Sequence, residues 1–195
     1  MAATRVLPRP RNTDRLFLAV LPDAAAQAQV LRLGAALRAE LGLTGKPFAP
    51  DRLHVTLHFL GDYPGLPQPL IEAVSRIAAA TAAHEPAFTL TFDRVGSFPR
   101  RHGRRPFVMR GGQGLAGVLS LQRSLSGGLH EAALAAAPGD LYTPHLTLLY
   151  DPLEVAVRPV PTLITWSAGE FVLVRSRIGR GLHEVLARWA LRPLA

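Results

Sequence analysis

Residues Arg52–Leu60 read RLHVTLHFL and residues Pro144–Tyr150 read PHLTLLY, so the tetrad His-x-Thr-Leu occurs as His54-Val55-Thr56-Leu57 and again as His145-Leu146-Thr147-Leu148. Both stretches alternate apolar and polar residues, the period-two pattern of a β-strand with one buried face. Residues i and i+2 of a strand project from the same face about 6.5 to 7 Å apart, so each strand offers an imidazole beside a hydroxyl. In the first strand Leu53, Val55, Leu57 and Phe59 form the core-facing set, leaving Arg52, His54, Thr56 and His58 on the other face. In the second, Leu146 and Leu148 point inward and His145 and Thr147 face the opposite way. Seven histidines and eleven threonines in 195 residues predict about 0.1 chance copies of this tetrad, so a pair is roughly a one-in-a-few-hundred accident.

Working outward, the first motif is preceded by an apolar strand, Arg15–Leu21, and by an Ala-rich helix from Pro22-Asp23 to Leu41 that Gly42 closes. A second helix is expected over Pro69–Ala83. Strands at Phe88–Val95 and Pro106–Arg110 flank the loop FPRRHGRR, and a third helix covers Leu115–Leu134, with Gly127-Gly128 as its weak point. After the second motif come Leu163–Arg175, interrupted at Ala168-Gly169, and His183–Leu191. Helix, polar loop and motif strand thus recur once in each half. The reading is an α+β, bilobal, duplicated fold: a flexible N-terminal arm over residues 1–13, then a single domain over 14–195 with a cleft between its lobes.

The chemistry of such a cleft follows from its four side chains. Splitting a phosphodiester with water needs one group to take a proton from the nucleophile and another to give one to the leaving oxygen, and two imidazoles near pKa 6.5 do both at neutral pH. The Thr56 and Thr147 hydroxyls donate to the non-bridging phosphate oxygens and fix the phosphorus between the rings. His58 continues the face of His54 and Thr56 but stays outside the catalytic pair. His84, His102, His130 and His183 fit no metal-ligand spacing, so no metal is expected. Arg100, Arg101, Arg104 and Arg105, beside Phe98 and Phe107, form a candidate phosphate-binding loop for single-stranded RNA. The turn SRIGRG, with Ser176, Arg177, Gly179 and Gly181, reads as a tight hairpin turn, with closure of one end of the cleft as the alternative.

Composition sets the outer limits. The chain has no cysteine, which excludes disulfides and thiolate ligands. Its start, MAATRVLPRPRNTDR, has no apolar signal core and no run reaches the ~18 apolar residues of a membrane span, so a cytoplasmic protein without a membrane partner is expected, as a monomer. A formal charge of +8 suits a polyanionic partner, although 21 arginines against the sole lysine, Lys46, also reflect a biased composition.

The paired motifs, with RLHVTLHFLGD, DRVGSFPRRHGRRPFVMR and LVRSRIGRGLHEVLARWAL in order, resemble the 2H phosphoesterase superfamily and its RNA 2′,3′-cyclic phosphodiesterase (2′-5′ RNA ligase) branch over roughly Asp14 to Leu194. The resemblance implies two antiparallel sheets lining a central cleft with helices outside, one His-x-Thr motif from each lobe, and no metal or organic cofactor. It implies opening of 2′,3′-cyclic phosphates at RNA ends to 2′-phosphates, in some members with reversible 2′-5′ joining of tRNA halves. Two rival readings accompany it: a phosphodiesterase for a small cyclic nucleotide such as ADP-ribose 1″,2″-cyclic phosphate, and an inactive RNA-binding module. Many members carry Arg five positions after the second motif's histidine; here that position is Tyr150, a one-proton donor without fixed charge.

Overall fold

The computed structural model describes residues 11–100, 102–136 and 142–193. Most of the expected arm, and Arg101, lie outside them. The described chain begins with β1 (Asp14–Val20), α1 (Ala24–Glu40), a 3-10 turn at Pro50–Arg52, β2 (Val55–Tyr63) and α2 (Gln68–Ala82). It continues through β3 (Phe88–Ser97), β4 (Arg105–Arg110), α3 (Ala116–Glu131), β5 (His145–Asp151), β6 (Arg158–Ala168), β7 (Glu170–Arg177) and β8 (Leu182–Ala190). Local chemistry sets these boundaries. The Asp23 carboxylate caps α1 by accepting from the Ala26 amide at 2.7 Å, and Gly42, at φ 65°, takes the left-handed position just after the helix.

The fold is α+β, and its two expected antiparallel sheets are the two halves of one eight-stranded sheet in the order β6-β3-β4-β5-β2-β1-β7-β8. The halves meet at the motif strands, where β2 and β5 share the single antiparallel pair Val55–Leu146. Leu163–Arg175 is not one interrupted strand. Gly169 separates β6, on the edge beside β3, from β7, between β1 and β8, because the remote edges of the two halves converge: Leu191 N–H donates to the Gly169 carbonyl, and Pro86 bridges to Arg192.

The core lies between the sheet and the helices. Leu18, Val55, Leu57, Leu146 and Leu148 of the sheet join Val30, Val74, Ala78, Leu121 and Leu125 of the helices in one buried cluster. α3 runs unbroken through Gly127-Gly128, because Gly128 lets it approach α2: a Cβ there would stand 2.9 Å from Ile77 Cγ2. On the other face of the sheet Phe17, Ala19, Val172 and Val174 form a second, small apolar cluster, and the cleft opens beside it.

Candidate active site

Register decides which motif side chains meet. Val55 and Leu146 are fully buried and directly opposed, so the antiparallel geometry sets His54 beside Thr147 and Thr56 beside His145, all four on the face away from the helices. The two histidines therefore occupy one diagonal of a four-residue square and the two threonines the other. Beyond that one pair the strands part. The Tyr142 hydroxyl donates to the Thr56 carbonyl at 2.7 Å, and burial raises its own pKa, so the phenol is held there as a neutral donor.

Both motif strands carry an extra residue at the same place. β1 pairs Ala19 with Thr56 and Leu18 with His58, skipping Leu57; β4 pairs Val108 with Thr147 and Phe107 with Leu149, skipping Leu148. Each is a β-bulge, and each reverses the alternation after it. His58 consequently leaves the face of His54 and bonds Ser126 Oγ of α3 at 2.9 Å. Phe59, expected in the core, is 54% exposed and lines the cleft. Tyr150 is turned into the cleft in the same way, with its ring 5.9 Å from that of Phe48.

The cleft has a volume of about 440 Å³ and contains His54, Thr56, His145, Thr147 and Tyr150. His54 Nδ1 is 2.7 Å from the Arg52 carbonyl, and His145 Nδ1 is 2.9 Å from the Thr143 carbonyl. A carbonyl only accepts, so Nδ1 carries the proton in both rings and Nε2 keeps the free lone pair. Burial lowers the pKa of His54; the Arg52 carbonyl opposes that shift, and the charges of His145 and Arg52 add to it. Burial likewise lowers His145, opposed by the Thr143 carbonyl and reinforced by Arg110. Phe17 packs 4.8 Å from the His54 ring, and Phe98 meets His145 edge-on at 4.7 Å.

The expected arginine loop sits elsewhere. Arg100 donates to the Arg104 carbonyl, Arg104 to the Tyr150 carbonyl at 3.0 Å, and Arg105 to the Pro152 carbonyl while pairing with Glu154 at 3.1 Å. The Arg104 and Arg105 guanidiniums fold back on the end of β5 through these contacts, and none of Arg100, Arg104 and Arg105 lines the cleft. The cations lining it are Arg15, held by Asp62 at 2.8 Å through two bonds, and Arg52, whose Cζ lies 4.2 Å above the Phe48 ring. Sequence reasoning also missed His183. Its ring is 5.3 Å from that of His54, and burial, with the charges of His54 and Arg52, pulls its pKa down to about 4 against the opposing pull of Asp51. Ser176 lines the cleft beside it, at the base of the hairpin that the SRIGRG turn does form through Gly179 and Gly181, both at positive φ. Among the described residues no group of three or more His, Cys, Asp or Glu is placed to hold a metal ion, and no helix is long and apolar enough to cross a membrane.

A family model described as LigT-like phosphoesterase matches residues 20–108. RNA 2′,3′-cyclic phosphodiesterase of Escherichia coli (strain K12) is 33% identical over 187 residues, which cover 91% of this chain and 97% of that protein. The crystal structure of E. coli LigT in its apo form superposes with a TM-score of 0.72 at 30% identity, covering 93% of this chain and 99% of that one. LigT complexed with 3′-AMP gives 0.72 at 29% identity, covering 92% and 98%. The crystal structure of TT0787 of Thermus thermophilus gives 0.74 at 26% identity, covering 93% and 100%. Sharing a third of its residues with the Escherichia coli enzyme along nearly the whole of both chains, and its fold with LigT, this chain belongs to the LigT-like family of 2H phosphoesterases.

Proposed function

We propose that the cleft hydrolyses 2′,3′-cyclic phosphates at RNA ends to 2′-phosphomonoesters, with His54 and His145 as the proton-transfer pair and Thr56 and Thr147 as the phosphate donors. The observation that carries this reading is the diagonal: two imidazoles, each with Nδ1 spent on a backbone carbonyl, flank a space bordered by two hydroxyls. A phosphate centred there meets a proton carrier on each side, the arrangement an in-line displacement requires. One neutral imidazole accepts a proton from water through Nε2 as the water oxygen bonds to phosphorus. The P–O3′ bond breaks, and the other imidazole, as imidazolium, gives its Nε2 proton to O3′. The threonine hydroxyls stabilise the charge gathering on the non-bridging oxygens, and every proton in the scheme moves between side chain, water and substrate. A ribose 5′-hydroxyl in place of water would leave a 2′-5′ junction by the same steps.

The substrate class is supported by the Escherichia coli relative, named for RNA 2′,3′-cyclic phosphates, and by LigT's binding of 3′-AMP. The test is incubation of a 2′,3′-cyclic-phosphate oligonucleotide with the protein in EDTA, with the product identified. Accumulation of the 2′-phosphate supports the proposal; a 3′-phosphate product, or turnover that chelation abolishes and a divalent ion restores, refutes it.

A further inference from the structure

The half of the cleft built on β1, β7 and β8 holds polar groups to which the two-histidine scheme gives no task. Arg52 Nε is buried and has no hydrogen-bond partner among the described residues. Its guanidinium lies on the Phe48 ring and reaches the β7–β8 turn, where Nη1 is 3.6 Å from the place a Cβ on Gly181 would take. Ser176 and His183 are directly paired across β7 and β8, and both line the cleft. A fixed cation with an unused donor, a hydroxyl and an imidazole thus converge at one end, with the Asp51 carboxylate as the opposing charge near His183. Leaving a buried guanidinium donor unmade is unfavourable, and the ligand that satisfies all three groups is an anion.

We propose that Arg52, Ser176 and His183 form a second anion subsite, which takes the phosphate ester on O5′ of the nucleoside whose cyclic phosphate lies between His54 and His145. The enzyme thereby distinguishes a cyclic phosphate on a nucleotide chain from one on a bare nucleoside. Arg52 supplies the charge and Ser176 a neutral donor. His183 is neutral in the free protein and gains a proton with the anion, because a neighbouring phosphate stabilises its charged form. The proposal rests on the reading of the cleft as a cyclic-phosphate site and extends it by one phosphate.

The test is calorimetric binding of adenosine 2′-phosphate and adenosine 2′,5′-bisphosphate to the full chain and to its Arg52→Met and His183→Phe variants, the latter keeping an aromatic ring against Phe17. In the unsubstituted protein the bisphosphate should bind about tenfold more tightly, the scale of one charge-assisted contact, and Arg52→Met should bring the ratio below about threefold. The NMR-monitored pKa of His183 should rise with the bisphosphate and not with the monophosphate. Equal affinities, a ratio unchanged by Arg52→Met, or failure of either nucleotide to bind overturns the subsite. An intact ratio in a protein that turns over no cyclic phosphate would instead refute the catalytic reading and leave the subsite standing.

Discussion

Leu57 and Leu148 are equivalent: each follows the threonine of its motif, each is buried, and each is skipped in the register with the neighbouring strand. The duplicated motif is therefore a strand, an imidazole, a hydroxyl and a bulge, repeated once per half. By reversing the alternation, the bulges turn Phe59 and Tyr150 into the cleft as a matched aromatic pair and remove His58 from it.

His58→Ala tests that reversal. The lost contacts with Ser126 and α3 should destabilise the fold by about 1 to 3 kcal/mol, read from denaturant midpoints, while kcat/KM stays within about threefold. A variant as stable as the parent but crippled in turnover would put His58 in the cleft.

Tyr150 lines the cleft at the position where many relatives are expected to carry arginine. Tyr150→Phe should lower kcat/KM by about two- to tenfold, the worth of one neutral hydrogen bond to phosphate, and Tyr150→Arg should preserve or raise activity. Kinetics of Tyr150→Phe that match the parent would make the ring a packing group and leave the phosphate to other donors.

The pH profile has a predictable position. Burial lowers the pKa of both His54 and His145, and one of the two must be protonated in the free enzyme, so kcat/KM should peak below about pH 6.5 and fall as pH rises beyond it. Bound phosphate favours the imidazolium, which should move the kcat profile to higher pH than that of kcat/KM. A kcat/KM that climbs to an alkaline plateau would remove the acid from the scheme.

Folding stability should follow the same groups. His54, His145 and His183 have folded pKa values below the unfolded value of about 6.5, that of His183 at about 4, so the unfolded chain binds protons first as pH falls. Their stabilisation is fully present above about pH 6.5 and is lost on the way to about pH 4. Thermal melts at about pH 7.5 and 4.5 should differ by at least about 4 °C, the acid sample melting first; a flat Tm would show that these rings are not held neutral by the fold.

Much of this was legible in the chain. Alternation located the motif strands and assigned Val55, Leu57, Leu146 and Leu148 to the core, and Asp23 and Gly42 marked the ends of α1. The bulges were not legible, because Leu57 and Leu148 are ordinary strand residues and a bulge is a property of the pairing, set by β1 and β4. The unassigned part of the cleft was hidden for a related reason: Arg52 and His183 lie far apart in sequence, and only the placement of β8 on the β1–β7 side of β2 unites them. The arginine loop was conspicuous as charge, but the carbonyls of Tyr150 and Pro152 that take its guanidiniums have no signature in sequence.

The central claim is that two imidazoles share the proton transfers, and the most direct measurement is steady-state turnover of a 2′,3′-cyclic-phosphate oligonucleotide by His54→Ala and His145→Ala, each checked for folding by circular dichroism. Both variants should remain folded and each should lose about 10² to 10⁴ in kcat, about 3 to 5 kcal/mol of barrier. Activity within threefold of the parent in either variant would contradict the two-histidine account.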